Sequence, residues 1–225
     1  MSIPDSCFDS LDRKNSRKRL LVYLINCSIV CAPLLHNTAS ALPTGAGIVA
    51  GDIDIQSFAN EQLINQYWDD FSISADELVR ILQNSPDATL LNRVTSANPS
   101  ELLGALQATG KVYVINPNGV LVGENAEINA AEFIASTLDV SDQDFLNGGD
   151  LQFLGSSESA VVNLGSITAE NGDAILIAQI VDNQGEITAP TGVAGLVAGQ
   201  DVLFMPEGDQ RIRVQRSLET ALETG

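Results

Sequence analysis

Cysteine, histidine and lysine are almost missing from most of this chain. All three cysteines (Cys7, Cys27, Cys31) and the single histidine, His36, fall before residue 42, and beyond it the only lysine is Lys111. From Leu42 onward, Ser-His-Asp catalysis, Cys-His catalysis and His- or Cys-based metal sites are therefore excluded. Disulfide staples, common in small exported domains, are excluded as well. Two readings of the missing cysteine stay open: chance, or a chain that crosses an oxidising compartment unfolded and must not be cross-linked there.

Positive charge is scarce too. Lys and Arg total 11 against 29 Asp and Glu, for a net charge of −18. Five of the basic residues (Arg13, Lys14, Arg17, Lys18, Arg19) and three of the acidic ones (Asp5, Asp9, Asp12) precede residue 42, which leaves 26 acidic and 6 basic residues, a net −20. Such a surface repels nucleic acid and anionic membranes. No phosphate loop, dinucleotide fingerprint or basic patch with interleaved aromatics is present. The acidic sets Glu124, Glu127, Glu132 and Asp139, Asp142, Asp144 follow no catalytic spacing. The expectation is no enzyme, no catalytic residue, no metal and no cofactor.

Only one long apolar run exists, Leu20–Leu35, interrupted by Asn26 and Pro33. Arg13–Arg19 precede it as a positive n-region. Ala39-Ser40-Ala41 follows with the small-x-small pattern read by signal peptidase. Residues 1–41 thus read as a secretory signal peptide with an extended n-region, cut between Ala41 and Leu42. The chain from 42 to 215 reads as one domain, and 216–225 as a tail or the start of a longer downstream region, with a short helix at Leu218–Leu222.

The domain is organised around Lys111–Gly123. Val112–Ile115 and Val120–Val122 read as strands. Asn116-Pro117-Asn118-Gly119 between them reads as a turn: Pro117 presets φ, and Gly119 takes positive φ without a Cβ clash. Thr89–Thr95 reads as a strand. Asp76–Leu82 is ambiguous between strand and short helix. Leu102–Ala108 reads as one or two helical turns. Trp68, the only tryptophan, reads as a cover for one end of the core. Arg211, Arg213 and Arg216 read as a solvated charged edge.

A repeat follows. Asn163–Ala178 aligns with Asn183–Ala198 at one constant offset, with Asn, Gly, Ile, Thr, Ala, Gly, Ala, Leu and Ala recurring in place. A weaker echo at Ala126–Ala130 puts Ile128 two such periods before Ile167. A period near 20 with short strands and Gly/Asn corners is the signature of a parallel β-helix. Stacking sets Ile167 over Ile187, Leu176 over Leu196 and Ala178 over Ala198, with Asn163 and Asn183 as an asparagine ladder. Gly165, Gly185, Gly172 and Gly192 read as supplying the backbone conformations of the corners.

Five segments together resemble the amino-terminal secretion domain of filamentous-haemagglutinin-type proteins, the exported (TpsA) partners of two-partner secretion in Gram-negative bacteria. They are Leu91–Thr95, Asn98–Ser100, Leu106–Gly110, Val112–Val120 and Ala135–Asp139. The resemblance covers roughly Gly47–Val202. It implies an all-β, right-handed parallel β-helix with a capping amino-terminal region and small extra-helical hairpins. It implies export by the general secretion machinery, then recognition in the periplasm by an outer-membrane TpsB-type β-barrel transporter, with folding outside the cell. It places a secretion signal on Asn116, Pro117, Asn118 and Gly119 and a weaker second motif on Asn98 and Pro99. The family's second motif is Asn-Pro-Asn-Leu, of which only Asn-Pro is kept here. It further implies that substituting Asn116 or Pro117 reduces secretion while leaving folding largely intact. Downstream regions of such proteins meet host-cell or glycan surfaces. The competing expectation is a stand-alone extracellular β-helix that binds glycans or host surfaces itself.

Overall fold

The computed structural model describes residues 53–56, 63–206 and 211–215. The signal peptide, the cleavage site at Ala39, Ala41 and Leu42, Arg216 and the Leu218–Leu222 helix lie outside the described residues.

The chain winds as a three-faced parallel β-helix. One face stacks β1 (Ile53–Gln56), β3 (Leu78–Leu82), β6 (Ala105–Ala108), β9 (Glu127–Ala130), β13 (Ser166–Ala169) and β16 (Glu186–Thr188). The second stacks β2 (Leu63–Trp68), β4 (Thr89–Val94), β7 (Lys111–Ile115), β10 (Glu132–Ser136), β14 (Ala174–Ala178) and β17 (Ala194–Ala198). The third stacks β5 (Ser100–Leu102), β8 (Val120–Val122), β12 (Ala160–Asn163) and β15 (Ile180–Asn183). Every pairing in these three sheets is parallel. Each rung therefore runs third face, first face, second face, and then steps up.

The sequence repeat sets the last two rungs as expected. Asn163 pairs with Asn183, Ile167 with Ile187, Leu176 with Leu196 and Ala178 with Ala198. The Asn163 amide donates to Asn183 Oδ1 at 2.7 Å, which completes the ladder. Gly165, Gly172, Gly185 and Gly192 do not take left-handed φ; among the described glycines only Gly119, Gly148 and Gly149 do. What the corner glycines allow is close stacking: a Cβ on Gly185 would lie 2.1 Å from the Gly165 carbonyl oxygen.

Three sequence expectations change. Leu102–Ala108 is not helical; Leu102 ends β5, Gly104 makes the corner and Leu106 lies in β6. Leu, Ala and Gln are good helix formers, but intrinsic propensity amounts to only tenths of a kcal/mol per residue, and burial of both Leu102 and Leu106 inside the solenoid overrides it. Asp76–Leu82 resolves as strand from Leu78, with Val79 and Ile81 fully buried at period two. Ile128 and Ile167 lie on adjacent rungs, not two periods apart. The extra length leaves the solenoid after β10 and returns at β12. It carries helix α1 (Asp142–Asn147), capped by the Ser141 side chain accepting from the Asp144 amide, and β11 (Leu151–Leu154).

This excursion explains why the second face is apolar on both sides. Its inner side chains, Leu90, Val112, Val114, Phe133 and Leu176 among them, fill the solenoid. Its outer ones, Leu91, Tyr113, Ile115, Ile134, Ile175 and Ile177, pack under Phe145 of α1, Phe153 of β11 and Phe204. Phe204 ends β18 (Asp201–Phe204), which pairs antiparallel with β11 and with β19 (Ile212–Val214). Strands covered on both faces lose polar alternation, and β4, β10 and β14 are buried at every position. Trp68 lies on the terminal strand of the second face, edge-on to Phe71, with its indole N–H donating to Asn92 Oδ1 at 3.0 Å.

A stacked asparagine–proline corner as the candidate functional site

Asn116–Gly119 joins β7 on the second face to β8 on the third. It is a corner between sheets, not a hairpin, since β7 and β8 do not pair. The Gly119 amide donates to the Asn116 carbonyl at 3.0 Å, which closes the turn, and Gly119 sits at φ +114°. The Asn116 side chain folds over the same turn: its Oδ1 accepts from the Asn118 amide at 2.9 Å. Asx turns of this kind are why asparagine is favoured before a turn proline.

The same side chain reaches to the rung below. Its Nδ2 donates to the Asn98 carbonyl at 2.9 Å and to Ser100 Oγ at 3.0 Å. Asn118 Nδ2 donates to the Ser96 carbonyl at 2.8 Å and to Asn116 Oδ1 at 3.2 Å. Register supports this, because Ser100 stands opposite Val120 and the Ser100 amide donates to the Gly119 carbonyl. The two motifs read separately along the sequence are thus one structure, the same corner on consecutive rungs. Asn116 is fully buried and Gly119 is buried, whereas Asn98, Pro99 and Pro117 are exposed.

Other residues belong to the corner without having stood out in the sequence. Ser157, on the returning end of the excursion, donates to the Pro117 carbonyl at 2.5 Å. Ser96 and Ser100 supply an acceptor carbonyl and a hydroxyl. Ser96 and Ser157 carry no sequence signal; Ser100 lies in the Asn98–Ser100 segment, but only the rung register that sets it against Val120 gives it a place in the corner.

Three of the six acidic residues raised as catalytic candidates, Asp139, Asp142 and Glu132, are held in ion pairs. Asp139 and Asp142 both pair with Arg93, at 2.7 Å each. Arg93 also donates to the Val140 carbonyl at 2.5 Å and stacks on the Tyr67 ring, so it clasps the excursion to the solenoid. Glu124 and Glu127 are exposed. Glu132 is buried, accepts from the Tyr113 hydroxyl and lies 3.6 Å from the Lys111 ammonium. Burial first, then the Glu132 charge and hydrogen bond, push the Tyr113 phenol well above its ordinary pKa. Arg211 is not a simple solvated edge: it pairs with the buried Asp173 at 2.6 Å. That hydrogen bond, followed by the Asp173 charge, raises its pKa.

The TPS secretion domain family matches residues 37–220. A heme/hemopexin-binding protein of Haemophilus influenzae is 32% identical over 192 residues, covering 75% of this chain and 20% of that protein. A second heme/hemopexin-binding protein of Haemophilus influenzae is 35% identical over 108 residues, covering 48% of this chain and 11% of its own length. Among solved structures, the HMW1 secretion domain from Haemophilus influenzae superposes with a TM-score of 0.59 at 31% identity, covering 73% of this chain and 44% of that one. The chain thus spans about a fifth or less of the curated relatives it matches. A parallel β-helix with this corner, matched by the family over most of its length, belongs to the TPS secretion domains of two-partner secretion, which are exported through the periplasm to the cell surface or beyond and imply a cognate outer-membrane transporter.

Proposed function

We propose that this chain is the secretion-directing segment of a longer exported protein, and that its transporter reads the Asn98-Pro99 and Asn116–Gly119 segments while the chain is still extended, before they stack into one corner. Soluble periplasmic domains of the barrel would take the segment by strand addition, in which main-chain hydrogen bonds give affinity and side chains give specificity. Outside the cell the rungs then stack, and burial of apolar surface makes the step hard to reverse.

The observation that carries the reading is the split within the corner. Asn116 and Gly119 have folded-state work that accounts for them: a buried amide with four hydrogen bonds and a left-handed glycine. Asn98, Pro99 and Pro117 are exposed, and the fold asks little of their side chains. Side chains that the fold does not use, in two proline-bearing segments, are what remains for a partner to recognise on the extended chain. Nothing in this role calls for catalysis or a cofactor. Contact with host-cell or glycan surfaces belongs, on this reading, to regions downstream of Gly225.

The test measures secretion and stability on the same variants, in cells carrying the cognate barrel. Pro117→Ala and Asn98→Ala should lower secretion severalfold while the purified chains unfold within about 1 kcal/mol of the parent. Wild-type secretion of both variants would remove the recognition role from this corner.

A further inference from the structure

The second face carries a buried ionic column. Lys111, at the start of β7, stands in register with Glu132 at the start of β10. One rung on, Phe133 pairs with Ala174, so Asp173 follows Glu132 in the same column. The Asp173 amide donates toward Glu132 Oε2 at 3.4 Å. Glu132 is 3% exposed and Asp173 is 0% exposed, so two carboxylates are stacked out of reach of water. Glu132 has Lys111 and the Tyr113 hydroxyl. Asp173 Oδ1 accepts from the Val193 amide at 2.8 Å and from Arg211 at 2.6 Å, while its Oδ2 is buried without a hydrogen-bond partner.

The surrounding sequence offers Asp173 no other cation. From Val112 to Gln210 there is no lysine, arginine or histidine, while 15 acidic residues lie in the same stretch. Arg211 is therefore the first positive charge after Lys111, and it comes from beyond the last rung. The β18–β19 hairpin brings it back: β19 pairs with β18, the Met205 amide donates to the Arg211 carbonyl, and Ile212 packs against Gly195 on β17.

We propose that Arg211 is a closing latch: the last two rungs become firmly held only when this residue, returned by the β18–β19 hairpin, seats its guanidinium on the buried Asp173 carboxylate. Before that, rungs five and six can stack only by burying an unbalanced charge, which is among the most costly defects a core can hold. On the export reading above the rungs stack outside the cell, and if they stack from the amino terminus the latch closes last. The contact itself does not depend on that reading.

Hydrogen exchange on the purified full-length chain tests it, with Arg211→Met, Asp173→Asn and the double variant. Arg211→Met should speed exchange of the β12–β17 amides at least about tenfold while β4 and β7 change little. Adding Asp173→Asn to Arg211→Met removes the charge that needed a partner and should restore most of the protection. Unchanged exchange in Arg211→Met overturns the latch, as does a double variant no better protected than Arg211→Met alone. If Arg211→Met does not fold, recovery of folding in the double variant supports the proposal and its absence overturns it.

Discussion

Asn116→Ala should unfold the corner more than its position in a turn would suggest. The amide makes four hydrogen bonds within 3.2 Å, two given to the rung below and two received from Asn118. The side chain is fully buried, so water does not replace them. Taking three of these bonds at about 1 kcal/mol each, and nothing for the fourth, the loss is about 3 kcal/mol. Asn116→Asp keeps the acceptor for the Asn118 amide but turns carboxylate oxygen toward the Asn98 carbonyl, so it should cost at least as much. Pro117→Ala removes an exposed ring and keeps the carbonyl that receives Ser157, for a cost of about 1 kcal/mol or less. Urea unfolding of the three purified variants beside the parent measures the order directly. An Asn116→Ala chain within about 0.5 kcal/mol of the parent, or one more stable than Pro117→Ala, would mean that these four bonds do not hold the corner. The expectation from family resemblance, that substituting Asn116 leaves folding intact, is revised by this burial.

Three further outcomes follow from the same contacts. Gly185→Ala places a methyl group 2.1 Å from the Gly165 carbonyl oxygen and should cost about 1–3 kcal/mol in the same unfolding assay, whereas Gly148→Ala meets nothing within 4 Å and is strained only by its φ of +64°. Asn163→Ala breaks the ladder to Asn183 and leaves the Gly165 amide short of its side-chain acceptor, for about 1–3 kcal/mol; in a double-mutant cycle with Asn183→Ala the losses should be less than additive. Tyr113 has its folded pKa raised, so its contribution is complete below the ordinary phenol value near 10 and is lost as pH climbs toward the folded one. Phenolate absorbance should show Tyr113 ionising only as the chain unfolds in alkali, and Tyr113→Phe should flatten that alkaline loss.

The solenoid was legible where its corners keep one length. Rungs five and six share one spacing from Asn163 to Ala198, and their ladder pairs fell where the alignment placed them. Earlier rungs hide because the corner between the first and second faces varies. Gln83–Ala88 spans it between β3 and β4, and Ala131 alone spans it between β9 and β10. Leu78 accordingly stacks on Ala105 and Thr89 on Lys111, two spacings that match neither each other nor the later repeat. The excursion lengthened the rung between Ile128 and Ile167 until it mimicked two periods. For the site, turn chemistry identified Asn116–Gly119, but the bond from Asn116 to Asn98 needed the register of two rungs. Arg93 and Arg211 were not legible as clasps, because their partners Asp139 and Asp173 lie far along the chain with no periodic relation to them.

If this domain directs export through a dedicated barrel, its appearance outside the cell depends on that transporter. The full-length chain would be produced in a Gram-negative host with and without the cognate outer-membrane transporter, and the medium and periplasm assayed for it. Folded chain is expected in the medium only when the transporter is present, with retention in the periplasm without it. Equal amounts in the medium in both strains, or retention in both, would contradict it.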